Sequence, residues 1–272
     1  MTREEELDTT RRSWNAATRI HNSHKGDQVA FFRNGGDVLF PEELDLLGPL
    51  DGRRVVHLQC NAGQDTLGLA RRGAQVVGVD FSDEAISFAR NLSRDSGIYA
   101  RFEQAEVVDW MMSTEERFEL AFTSYGTTGW LPDLPAWARG ISRILEPGGR
   151  FVYVEFHPLV WSYEKKDEYF AMHTFMDPVG DYVGESGGAL QAAPGVAAPA
   201  NDIPACSWQH PLGSVLNALI QGGLQLESFQ EYAHSNGDKT ISTLVEAPGR
   251  RWVWPEGAVR LPLMYSVTAR RP

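Results

Sequence analysis

Two residues in the first half of the chain set up its chemistry: a turn glycine, Gly63, and an aspartate, Asp80, that closes the next apolar run. Gly63 lies in VVHLQCNAGQDT, where an apolar stretch gives way to a polar turn and then to a helical pattern. A glycine there lets backbone approach a ligand closely, and the helix N-terminus behind it favours negative groups. Asp80 ends QVVGVD, roughly 20 residues past the glycine turn, where a carboxylate can accept both hydroxyls of a ribose. Singly, the first could be a plain turn glycine and the second a helix N-cap. In register, they point to a ligand built on adenosine. Phe81 can lie against an adenine face or pack as a strand-end aromatic. Glu106, after the third apolar run, can take the adenine amino group or stand as a solvated strand-end acid. The turn has a single glycine, so the G-x-G-x-x-G fingerprint is absent, which counts against a nicotinamide or flavin enzyme.

A second set of residues could move protons. Glu155 and His157 end the apolar run RFVYVEFHP, and period-two alternation puts both side chains on one side of a sheet. His157 titrates near neutrality and is the first candidate for a general base; the rival reading is a structural histidine bonding a backbone carbonyl. His210, in SWQHPLG, is a second candidate, although Pro211 after it suggests a positional role at a helix start. No H-x-x-H, H-E-x-x-H or acidic cluster suggests a metal, and none is expected. Aromatic residues gather after the fourth apolar run: Tyr125, Trp130, Trp161, Tyr163 and Trp208, with Trp14 and Phe40 upstream. They could line a flat pocket for an aromatic, heterocyclic or cationic acceptor, or pack a lid onto the core.

The elements that must position these groups follow from periodicity. Residues 4–24 read as a helix that carries Trp14, His21 and His24, either as a cover over the ligand or as a face docking elsewhere. From Arg54, short apolar strands alternate with amphipathic helices, one of them capped by Ser82. That alternation predicts an α/β fold: a Rossmann-like, doubly wound, mostly parallel seven-stranded sheet covered on both faces. We expect an N-terminal helical cap over 1–50, a ligand-binding core over 51–158, and a substrate lid inserted after the fifth strand over 159–207. Residues 208–272 then supply a helix and the last strands, and 234–260 read as loop.

Bulk properties narrow the classes. At 272 residues with 42% hydrophobic and 22% charged, the chain is ordinary globular material. A formal charge of −11 argues weakly against a nucleic-acid partner. Cys60 and Cys206 are the only cysteines, too few for a disulfide framework or a zinc set. The acidic start MTREEELDTTRRSW lacks the apolar core of a signal peptide, and no apolar run approaches the ~20 residues that span a bilayer. A cytoplasmic protein, monomeric or homodimeric and without a membrane partner, is the expectation.

Taken in order, VVHLQCNAGQDT, VVGVDFS, FEQAEV, LAFTSYGTTGWLPDL and LEPGGRFVYVEFHP resemble the class I S-adenosylmethionine (SAM)-dependent methyltransferases. More narrowly they are similar to the bacterial small-molecule branch with an HLQC-x-x-G-Q-D-T first motif. The resemblance implies SAM as cofactor, S-adenosylhomocysteine (SAH) as product, and in-line transfer to N or O of a small acceptor. It implies that Gln59, Cys60, Asn61 and Gly63, with Asp65 and Thr66 behind them, cradle the methionine part. It puts Asp80 and Ser82 at the ribose, Phe81 against adenine, and Glu106 with Val107 at the adenine edge. Ser124 and Tyr125 would face the sulfonium, which adds Tyr125 to His157 and Glu155 as a candidate catalytic group. Trp14, His24, Phe40, Tyr125, Trp130, His157, Trp161, Tyr163, Trp208 and His210 are the candidates for the acceptor side. Gln59 stands where the commoner motif has an acid, so Gln59 or backbone carbonyls are left to meet the methionine ammonium. A non-catalytic SAM-binding protein and C- or S-methylation are the alternatives; a nucleic-acid or protein methyltransferase would favour a basic groove, and none is visible.

Overall fold

The computed structural model describes residues 1–164, 169–170, 174–175, 179 and 201–272. Most of the lid expected over 159–207 therefore lies outside the described residues. Three helices open the chain: α1 (Arg3–His24), α2 (Gln28–Arg33) and α3 (Pro41–Leu47). Then β1 (Arg54–Leu58), α4 (Gln64–Arg71), β2 (Gln75–Asp80), α5 (Asp83–Ser96), β3 (Arg101–Gln104), α6 (Val107–Ser113) and β4 (Phe118–Ser124) alternate. They continue into α7 (Leu134–Ile144), β5 (Leu145–Phe156) and α8 (Leu159–Glu164). After the short β6 (Thr174–Phe175) and β7 (Ser207–Trp208) come α9 (Leu212–Gln221) and β8 (Gln225–Tyr232). The chain ends with β9 (His234–Asn236), β10 (Val245–Ala247), β11 (Arg251–Val253) and β12 (Met264–Arg270).

Seven strands form the main sheet in the order β3-β2-β1-β4-β5-β12-β8. The first five run parallel, and β12 is antiparallel to both β5 and β8. The fold is thus the expected mostly parallel α/β sheet. Its strands are buried on both faces because helices cover both, as the unbroken apolar runs require. On one side, α7 sinks Leu134, Trp137, Ala138, Ile141 and Ile144 into the largest core cluster. Ser82 starts α5 as read from sequence, its Oγ accepting the Ala85 N–H at 3.1 Å. Strand order reverses between β1 and β4, so a crevice opens there at the carboxyl ends of the strands.

Two expectations change. Residues 234–260 are not simply loop: β9, β10 and β11 make a small antiparallel sheet in the order β10-β11-β9. Its strands are three residues each, too short for an alternation to show in sequence. Glu42 of α3 ties this sheet down, pairing with Arg251 and, at 3.1 Å, with His234. The stretch LPAWARGISRILEPGG reads as a helix ended by Pro-Gly-Gly, yet α7 stops at Ile144, because extended backbone begins at Leu145, paired with Phe118.

Candidate active site

The crevice at the β1–β4 reversal is a deep cleft. Its floor is the turn after β1, which departs from ordinary backbone: Gln59, Asn61 and Gly63 have φ of 55°, 47° and 80°. Left-handed conformations in non-glycine residues persist only where the surroundings hold them. Here they are held. The Gln59 Nε2 donates to the Thr127 carbonyl at 2.9 Å, and the Asn61 N–H donates to Asp80 Oδ2 at 2.8 Å. Asp80 also accepts the Ser82 N–H at 2.9 Å, and burial pushes its pKa up to about 6 against the pull of these backbone donors. Among the described residues the Gln59 Oε1 and Asn61 Oδ1 are buried with no hydrogen-bond partner, on two residues that line the cleft. Gly63 is needed for a different reason from the one read in sequence. It does not line the cleft; a Cβ there would come within 2.7 Å of Ala89 and 2.8 Å of Phe102.

Phe81, Glu106 and Val107 line one end of the cleft. Glu106 is also the N-cap of α6, accepting the Asp109 N–H at 2.7 Å, and burial raises its pKa. Helix α1 crosses this end, with Leu7, Trp14 and His21 facing in at seven-residue intervals. Arg11 and Asn15 dock it on Asp83 at 3.0 and 2.7 Å, and Trp14 meets Trp130 edge-on at 5.3 Å.

At the end of β4, Ser124 Oγ donates to Asp65 Oδ2 at 3.1 Å. It also lies 3.5 Å from His57 Nε2, while the other ring nitrogen of His57 lies 2.9 Å from Thr66 Oγ1. Burial holds the His57 pKa down at about 3, so the ring is neutral. Tyr125 follows with φ of 30° and lines the cleft between Phe40 and Phe156, at ring distances of 6.2 and 5.2 Å. Its hydroxyl accepts from Asn236 Nδ2 at 3.1 Å. Behind it, Glu43 is buried and its pKa is pushed up to about 8 by burial and by Asp65.

The cleft thus gathers most residues assigned to the cofactor, but Thr66 and Ser82 stand behind it, holding His57 and capping α5. On the acceptor side it gathers Trp14, Phe40, Tyr125 and Trp130 and leaves out the rest. His157 is 3% exposed and outside the cleft; its Nδ1 accepts the Leu159 N–H at 3.2 Å and its Nε2 lies 3.0 Å from Glu231. A ring so placed stands outside the cleft that the general-base reading requires, and it meets the Leu159 N–H and Glu231 rather than the backbone carbonyl of the rival reading. Glu155 is likewise committed. Its carboxylate accepts the N–H groups of Gly126, Thr127 at 2.8 Å and Thr128 at 3.3 Å, plus the Tyr153 hydroxyl at 3.2 Å. It organises the loop that walls the cleft and has no lone pair to spare for a substrate proton. His210 Nε2 is 2.7 Å from the Leu131 carbonyl, a positional role. Trp161 packs on Phe156, Tyr163 on Trp254, and Trp208 sits in β7; these three and His24 are not cleft residues.

Sequence reasoning missed several cleft residues. His57 left a signal, a polar side chain in the middle of a buried apolar strand. Asn236 and Arg250 left none, because the small sheet that presents them was not legible. Gln64, another lining residue, bonds Gln28 at 2.9 Å and so joins α4 to α2.

The geometry has counterparts among known proteins. Residues 55–149 match the methyltransferase domain family. A ubiquinone biosynthesis O-methyltransferase of Alkalilimnicola ehrlichii is 33% identical over 107 residues, covering 39% of this chain and 43% of that protein. An uncharacterized methyltransferase of Synechocystis is 33% identical over 138 residues, 49% of this chain and 62% of the relative. The chain thus spans less than two thirds of the length of these curated relatives. Among solved structures, a SAM-dependent methyltransferase from Mesorhizobium loti superposes with a TM-score of 0.56 at 24% identity, over 85% of this chain and 96% of that one. One from Listeria monocytogenes gives 0.56 at 18% identity over the same shares. Residues 55–149 thus match the methyltransferase domain family, and the sheet that holds them shares its fold with these two solved structures.

Proposed function

We propose that the protein is a methyltransferase that uses SAM to methylate a small acceptor on oxygen or nitrogen. The observation that carries the reading is the Asp80 carboxylate, buried at the carboxyl end of β2 and fixed by the Asn61 and Ser82 N–H groups beside the β1 turn. The residues present fit the cofactor. Asp80 suits a ribose diol, Phe81 an adenine face, and Glu106 with Val107 the adenine edge. The orphaned oxygens of Gln59 and Asn61 suit the ammonium that the missing acid would otherwise meet. When bound, the cofactor supplies a methyl group already activated on a sulfonium sulfur.

The chain's own residues then have to align and dry the site. Gln59, Asn61 and Asp80 fix the ligand from below, and α1 with Trp14 and Trp130 covers it. Such positioning can supply about 7–11 kcal/mol of barrier reduction without a covalent group. Burial and Glu43 hold Tyr125 well above the ordinary tyrosine pKa, so its hydroxyl stays neutral and serves as a hydrogen-bonding wall rather than as a base. The O-methyltransferase relatives support the oxygen arm of the proposal. The aromatic walls around Tyr125 support a small planar acceptor rather than nucleic acid, in keeping with the charge of −11. The buried thiols of Cys60 and Cys206 support a reducing compartment such as the cytoplasm. Among the described residues no helix is long and apolar enough to cross a membrane.

The test is calorimetry with SAH, followed by a mass-tagged SAM assay against a panel of small phenols, acids and amines. We expect SAH binding and label transfer. Binding without transfer to anything in an extract would favour the sensing alternative, and no SAH binding would sink the proposal.

A further inference from the structure

Arg250 stands on the wall of the cleft. Among the described residues it has no carboxylate within ion-pair distance, whereas its neighbour Arg251 is paired with Glu42. Three contacts fix it. Its guanidinium lies over the Phe40 ring at 4.1 Å, its Nη2 donates to the Val38 carbonyl, and its own carbonyl accepts the Gly237 N–H at 2.8 Å. The backbone takes φ of 59° there, a conformation a side chain accepts only when something holds it. Glu43 feels the Arg250 charge, but burial and Asp65 push its pKa up to about 8. Lys25, Asp65 and Asp238 share the cleft, and each is already engaged.

The guanidinium lies on the Phe40 ring, and Tyr125 packs between Phe40 and Phe156 in the same cleft, which gives it a flat aromatic wall. One further polar atom belongs to this end. Asn236 is 1% exposed, its Nδ2 donates to Tyr125 at 3.1 Å and to Glu42 at 3.5 Å, and its Oδ1 is buried with no partner among the described residues. A buried acceptor left unpaired is costly, so a ligand that brings an N–H or O–H gains there. A planar, fixed guanidinium matches a carboxylate, to which it can donate two parallel hydrogen bonds.

We infer that Arg250 is a carboxylate-binding residue, and that the acceptor is a small planar acid whose carboxylate it holds while Asn236 Oδ1 takes an acceptor N–H or O–H. The inference rests on the methyltransferase reading for which end of the cleft the acceptor occupies. The same chemistry could come from the carboxylate of the cofactor's methionine end, and the experiment separates the two.

The full chain is compared with Arg250→Met and Arg250→Lys, after thermal melting shows that each folds. Binding is measured by calorimetry for SAH, for 5′-methylthioadenosine, which lacks the amino-acid end, and for benzoate against benzamide on SAH-loaded protein. We expect wild type to prefer benzoate to benzamide. Arg250→Met should weaken benzoate about tenfold or more, down to the amide, with SAH unchanged and Arg250→Lys intermediate. If Arg250→Met instead weakens SAH about tenfold and spares 5′-methylthioadenosine, the carboxylate held is the cofactor's. The inference is overturned if SAH affinity is unchanged and benzoate has no advantage over benzamide, or if both probes lose equally. Should wild type fail to bind SAH, the methyltransferase reading falls, and benzoate against benzamide on the ligand-free protein still decides the role of Arg250.

Discussion

Asp80 accepts the backbone N–H of Asn61 at 2.8 Å, so the acid that ends the second strand holds the strained turn that leaves the first. One carboxylate therefore shapes the floor of the cleft, and under the SAM proposal its remaining lone pairs are what the ribose would meet. Asp80→Ala should lower SAH affinity by about 10- to 100-fold, the worth of a charged hydrogen-bond set. Asp80→Asn, which keeps one acceptor oxygen, should lose less. Calorimetry checks both, and equal affinity in all three proteins would remove Asp80 from the ribose.

Glu155 is an organiser, and its removal should act on stability first. Glu155→Ala strands the N–H groups of Gly126, Thr127 and Thr128, each worth about 1–3 kcal/mol when left unpaired. A urea titration should show a loss of about 2–4 kcal/mol. SAH affinity should fall as well, because Thr127 supplies the carbonyl that holds Gln59.

His157 should be dispensable for chemistry. Burial lowers its pKa below the ordinary 6.5 despite Glu231, so the unfolded chain binds the proton more readily. Its contribution to stability is present above pH 6.5 and is lost as the pH falls below that value. His157→Gln should leave the pH profile of methyl transfer in place and flatten the acid loss of stability. A shifted profile would restore it as a base.

Glu43 gives the opposite sign. Its carboxyl keeps its proton in the fold up to about pH 8 but loses it near the ordinary 4.5 when unfolded. Folding is thus favoured at low pH, and that advantage disappears as the pH rises through about 8. Glu43→Gln, which keeps an oxygen for the Phe40 N–H, should match wild type near pH 4. At pH 9 it should exceed it by roughly 1 kcal/mol or more, read by melting at both values. Equal stability at pH 9 would mean that the fold does not raise the Glu43 pKa.

Much of the fold and half of the site were legible in the sequence, for a local reason. Apolar runs of strand length, alternating with capped amphipathic helices, have few arrangements other than a covered parallel sheet, and Gly63, Asp80 and Glu106 fall at strand ends by their position in those runs. Strand ends on the carboxyl side share one crevice, so sequence order alone brings Gln59, Asp80, Glu106 and Ser124 together. Which side chains remain available for a ligand was decided by tertiary structure. Alternation could place Glu155 and His157 on one side, but only packing showed that Glu155 is saturated by loop N–H groups and His157 sealed against Leu159 and Glu231. Asn236 and Arg250 reach the cleft through three-residue strands anchored by Glu42, contacts about 200 residues apart in sequence that no local period encodes.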